Sequence, residues 1–122
     1  MTDQEMLALA AKAAGAEHNG YRFGENGREP LYGVFVYDPA EDCEVAKSWN
    51  SRNNNEDAFS LAARLTMEID HNHPADQTLW VSVRAHPMRD YCVEEFDDEG
   101  LREDRMRLAI TRAAAEIGRA MP

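Results

Sequence analysis

The chain has no apolar run approaching the length needed to cross a membrane. Its first residues, MTDQEMLALA, lack the basic region and apolar block of a signal peptide, so the expected location is a cytoplasm. Cysteine is scarce, and in that compartment Cys43 and Cys92 are expected to be thiols rather than a disulfide. Cations are few as well: 13 Lys and Arg stand against 23 Asp and Glu, for a net charge of −10. That shortage argues against direct, nonspecific binding to DNA, RNA or anionic lipid, which needs neutralising cations. The acid surplus allows a basic protein partner or imitation of nucleic acid, and solubility alone also accounts for it. No phosphate-cradling loop, nucleophile elbow or metalloprotease motif is present.

What the chain does contain suits one globular domain, residues 1–122. That length can bury a core without disulfides or metals. A 43% hydrophobic content with 30% charged residues places it away from disordered chains. No internal repeat or linker divides it.

Thr2 and Glu5 have the spacing of a helix capping box, and Gly15 suits a helix stop. Between them Met6, Ala10, Ala13 and Ala14 form an apolar face. Residues 16–30 are polar and glycine-containing and read as a loop, with Tyr21 and Phe23 extended at most. LYGVFVY, 31–37, is short, aromatic and β-branched. It reads as a central strand covered on both sides. Asp38-Pro39 starts a turn, and CEVAKSW, 43–49, follows as its antiparallel partner.

The stretch SWNSRNNNEDAFSLAARL, 48–65, then reads as a strand-to-helix join. One of Asn53, Asn54 or Asn55 caps the next helix, and Glu56 and Asp57 suit its positive end. Ala58, Leu61, Ala62, Leu65 and Ile69 fall on one face, widened by Phe59 and Met67. That helix should end before Pro74. TLWVSVRA, 78–85, alternates as a strand, with Leu79, Val81 and Val83 on one side. DYCVEEF, 90–96, is a fourth strand. The last helix covers about 102–119, with Met106, Ala109, Ile110, Ala113, Ala114 and Ile117 as its stripe. The predicted order is α-β-β-α-β-β-α, an α+β fold with a small, mostly antiparallel four-stranded sheet and helical layers.

Two stretches carry a resemblance. Trp49-Asn50, a short polar loop, then Asp57-Ala58-Phe59-Ser60-Leu61-Ala62-Ala63-Arg64-Leu65 is similar to a recurring phage pattern. There Trp-Asn-Pro-Leu and an acidic loop precede Asp-Ala-Leu-Arg-Leu-Ala and a Lys-Leu. Residues 107–118 are similar to the C-terminal helix of the same proteins. On these residues the chain resembles the phage ABA sandwich domain family, small proteins of tailed-phage and prophage genomes. The resemblance implies a three-layer α/β/α sandwich and a bacterial host cytoplasm. It implies no established activity, so no catalytic residue is inherited. Trp49 then reads as an anchor at a strand-to-helix corner.

His71-Asn72-His73 would put two imidazoles near one metal. A zinc site usually needs three or four ligands, however, and His18, His86, Cys43 and Cys92 stand at no recognisable ligand spacing. A structural or solvent-exposed role is favoured, and no metal or cofactor is expected. A Cys92–His86 nucleophilic pair has no support from spacing. The arginines of the last helix are expected to pair with nearby acids.

The acidic run supplies the candidate partner-binding residues, Glu94, Glu95, Asp97, Asp98 and Glu99. Their bland reading is a solvated strand end and acids near a helix start. The leading expectation is a non-enzymatic phage or prophage accessory protein that binds a host or phage protein. One concrete form is a defence antagonist, such as an anti-CRISPR, whose acidic surface covers a basic nucleic-acid groove. The alternatives are a ligand-binding protein or enzyme with a pocket built from distant residues, and a structural or self-assembling phage component.

Overall fold

The computed structural model describes residues 1–24, 27–86 and 88–122. Helix α1 (Asp3–Ala14) is followed by strands β1 (Glu17–Gly24), β2 (Gly27–Asp38) and β3 (Cys43–Trp49). Helix α2 (Asn55–Arg64), strands β4 (Glu68–His71), β5 (Leu79–Arg84) and β6 (Cys92–Phe96), and helix α3 (Arg102–Ala120) complete the chain. A short 3-10 turn, Glu99–Leu101, leads into α3. The fold is mixed α+β. Its strands form two antiparallel three-stranded sheets, β1-β2-β3 and β4-β5-β6.

Two separate sheets replace the expected single four-stranded one, for two reasons. Residues 17–24, read as loop, pair with the first half of β2. Every one of them is exposed, so they carry no apolar alternation to betray a strand. Residues 25 and 26 of that expected loop lie outside the described residues. The second surprise is β4. The apolar spacing carried α2 through Ile69, yet the helix ends at Arg64 and Thr66 takes a left-handed φ of 49°. Ile69 then pairs with Val83 in the second sheet. Sheet pairing here overrides local helical periodicity.

The core lies where α3 packs against β5, β6, α1 and α2. Leu79, Val81 and Val83 enter it from β5, and Ala109, Ile110, Ala113 and Ala114 from α3. Burial of Ile110 alone stabilises the fold by about 2 kcal/mol. α1 contributes its predicted face of Met6, Ala10, Ala13 and Ala14. Small residues let α1 and α3 approach closely. A Cβ at Gly118 would overlap the carbonyl oxygen of Leu9, so this contact requires glycine. The caps act locally. Thr2 Oγ1 accepts from the Glu5 amide at 3.1 Å, and Gly15 closes α1 at a left-handed φ of 74°.

The first sheet is different. Near Trp49, Tyr32 and Val34 it rests on the core. Beyond them it stands open. β2 is central, as expected, but not covered: Phe35 is 63% and Tyr37 60% exposed. Phe59 also points to solvent from α2 rather than widening its buried face.

Candidate functional site

Three places collect the residues with chemical potential: the asparagine-rich seam, the acidic run and the open first sheet.

The seam is held by its own hydrogen bonds. The Asn50 side chain accepts from the backbone amides of Arg52 and Asn53 at 2.9 and 3.2 Å. Asn54 caps α2, its Oδ1 accepting from the Asp57 amide at 3.0 Å. The buried Asp57 carboxylate accepts in turn from the Asn50 amide at 2.9 Å. Ser51 and Thr111 hydroxyls share a buried hydrogen bond of 2.8 Å that ties the loop to α3. Arg52 pairs with Asp104 at 2.8 Å, and Arg107 Nε donates to the Arg52 carbonyl at 3.1 Å. Asn and Ser side chains are suited to bonding nearby backbone in this way. Trp49, 6% exposed, anchors the start of the loop in the core. The seam is a join in which most polar groups already have partners.

The Arg52 hydrogen bond holds the Asp104 carboxyl below the usual carboxylate range. The charges of Arg105 and Arg107 add to this, against the opposing effect of partial burial.

One side of the seam borders a cleft of about 510 Å³ between β1, β2, the end of β3 and the start of α1. Tyr32, Trp49 and Leu7 line it with Gln4, Asn19 and Asn53. Its size falls within the range of small-molecule sites.

The acidic run is divided by the fold. Glu94 pairs with Arg112 and Glu99 with Arg102. Asp98 accepts from the Gly100 amide at 2.9 Å and starts the 3-10 turn. Glu95 and Asp97 are exposed and have no ion-pair partner among the described residues. The five acids therefore do not present five open carboxylates. The α3 arginines pair as expected, Arg105 and Arg107 with Asp104 and Arg119 with Glu116.

His71 and His73 serve different neighbours. His73 Nδ1 accepts from the Ala75 amide at 3.0 Å, while His71 Nδ1 lies 3.1 Å from the Arg102 guanidinium. Burial, and then the Arg102 charge, push His71 below the ordinary imidazole value. Between them Asn72 accepts from the Trp80 amide at 2.8 Å and donates to the Thr78 carbonyl, closing the 72–80 loop. Arg102 completes the clasp through the carbonyls of Asn72 and Trp80 and the face of Phe96. Arg102 pairs with the nearby acid Glu99 as expected, but its contacts with His71 and Asn72, 31 and 30 positions away, leave no local signal in the sequence. Among the described residues no group of three His, Cys, Asp or Glu is placed to hold a metal. Cys92 is buried, which pushes its thiol up, and Cys43 is exposed.

The open face of the first sheet was not expected, because 31–37 reads as a strand covered on both sides. By register, Phe35 stands beside Ala46, Tyr37 beside Glu44, and Val36 beside Val45. Phe23, on β1, is 90% exposed. The available signal was the aromatic content of 21–37, which reads equally well as core. No family model matches the chain, and no curated protein matches it. No helix of the described residues is long and apolar enough to cross a membrane.

Proposed function

We propose that this chain is a non-enzymatic accessory protein of phage or prophage origin that acts by binding a host or phage protein. The carrying observation is the open aromatic surface of β2, where Phe35 and Tyr37 lie in water on a strand whose middle, at Tyr32 and Val34, packs against the core. Contiguous exposed apolar surface of this kind marks an interaction site, and aromatic side chains dominate binding energy at such sites. The acidic pair Glu95 and Asp97 supplies a second, electrostatic surface. In the defence-antagonist form of this reading, those acids meet a basic nucleic-acid-binding face of the target. Membership in the phage ABA sandwich family, and the three-layer packing it implies, belongs to the same proposal. An experimental structure with helices on one side of the strands only would remove it.

Affinity capture from host lysate tests the proposal, comparing the parent chain with Phe35→Ser and with Glu95→Gln/Asp97→Asn. A host protein lost with Phe35→Ser assigns the contact to the sheet. Loss with the acid variant, together with weakening by moderate salt, assigns it to the acidic surface. Absence of any host protein enriched over a tag-only control overturns the binding reading, and equal recovery of one by all three chains removes both proposed surfaces.

The cleft beside Trp49 supports a second reading, a small-ligand binder. Gln4, Asn19 and Asn53 offer amides that both donate and accept. A thermal-shift screen of sugars and nucleosides tests it. Absence of any stabilisation at millimolar ligand would sink it.

A further inference from the structure

We infer that the outer edge of β3 is a docking strand for an extended, basic segment of a partner protein, which joins the first sheet as a fourth strand. The inference rests on the protein-binding reading above and names the partner's chemistry.

The edge itself is the first observation. All seven residues of β3 pair with β2 in unbroken register, from Tyr32↔Trp49 to Asp38↔Cys43. Among the described residues the β3 backbone pairs with β2 alone, and residues 43, 44 and 46–48 are exposed. An unpaired regular edge presents a row of amides and carbonyls ready for another strand.

The other edges of the protein are blunted. β1 carries a bulge between His18 and Tyr21, with Gly20 at φ 99°. β4 and β6 are only four and five residues long. Bulges and short strands are the usual protections against strand addition. β3 has neither. Its one cation, Lys47, is held by Glu56 at 3.1 Å.

The hairpin that presents β3 is already ordered. Asp38 Oδ1 accepts from the Ala40 amide at 2.9 Å. The Tyr37 hydroxyl donates to Asp42 at 2.5 Å, and Asp42 takes a left-handed φ of 51° at the turn. Little ordering is left for the docking event to impose.

Side chains along the edge specify the occupant. A strand laid beside β3 would meet Val45, backed by Val36, on one side of the sheet. On the other it would meet Ala46, backed by Phe35, and Glu44, backed by Tyr37. Glu41 and Asp42 extend the negative charge at the tip. The complementary segment carries small apolar residues interrupted by Lys or Arg. A second copy of this chain is a poor match, because it brings a net charge of −10 and another acidic hairpin.

The test uses two synthetic peptides of about nine residues, one alternating Lys with Val and one alternating Glu with Val. Backbone amide exchange is followed by NMR on the full chain. The Lys/Val peptide should slow the outward-pointing amides of β3 by about tenfold or more and leave those of β1 unchanged. The Glu/Val peptide should have no such effect. Glu44→Lys should reverse the preference. Glu41→Lys, outside the strand, should weaken the basic peptide if the first variant fails to fold.

Failure of the Lys/Val peptide to slow β3 exchange at millimolar concentration overturns the inference. So does equal protection by both peptides, or protection that appears without peptide and grows with protein concentration, as a second copy would produce. If lysate capture depends on Phe35 while β3 stays unprotected, strand addition is wrong and protein binding stands.

Discussion

The two sheets share one topology, three antiparallel strands in sequence order, and differ in what lies against them. In the second sheet, β5 buries Leu79, Val81 and Val83 under α3. In the first, β2 carries equally apolar residues, yet Phe35, Val36 and Tyr37 stay open beyond the point where Tyr32 and Val34 reach the core. Cross-strand neighbours are the main support for that outer part. The difference teaches that similar strand composition serves two ends here. One sheet buries its apolar surface against α3, and the other leaves part of it in solvent.

The strongest attack on this comparison pairs two truncations. Ile110→Ala, in the core, should cost about 2–5 kcal/mol in urea unfolding. Phe35→Ser, on the open sheet, should change stability by less than about 0.5 kcal/mol. Similar losses in the two variants would mean that the first sheet is covered in solution.

A smaller effect tests the join between the sheets. Asn54→Ala removes the cap of α2 and should cost about 1 kcal/mol, read as a lower unfolding midpoint. A loss within error would show that Asn50 and Asp57 hold the corner unaided.

Acid should loosen the same corner further. The Asp104 carboxyl titrates below its unfolded value, so its contribution is fully present above about pH 4 and fades as pH falls through the folded value. Asp104→Asn should cost about 0.5–1 kcal/mol at neutral pH, and the gap should shrink as acid takes the pH down through the folded value of the Asp104 carboxyl. A gap that stays constant throughout acid titration would assign the cost to packing instead.

The last test leaves stability almost untouched. Iodoacetamide should modify Cys43, exposed on the open sheet, within minutes and with little change in unfolding. Cys92, buried beneath α3 with its thiol pushed up by burial, should react only when the core opens. Equal rates would erase the contrast between the two sheets.

Much of the helical framework was legible in advance. The faces of α1 and α3 follow from apolar spacing at 3.6 residues per turn, and Asn54 among three candidate asparagines caps α2. The β2–β3 hairpin followed from two apolar runs across a short turn. β1 was hidden because all its residues are exposed, and β4 because Ile69 also satisfies a helical period. The acidic run was legible as charge but not as contact. Arg112 and Arg102 reach Glu94 and Glu99 only after the last helix has docked or begun.

By itself, the sequence determined that there are three helices, the buried stripes of α1 and α3, the negative charge and the turn chemistry at 38–42 and 50–57. Each of these depends on residues within a few positions of one another. Only the tertiary structure decided which apolar strand was covered, which acids were paired and which sheet edge stayed open. Those outcomes depend on where α3 lies, and its docking on β5 and β6 leaves the outer part of β2 and β3 without a layer of its own.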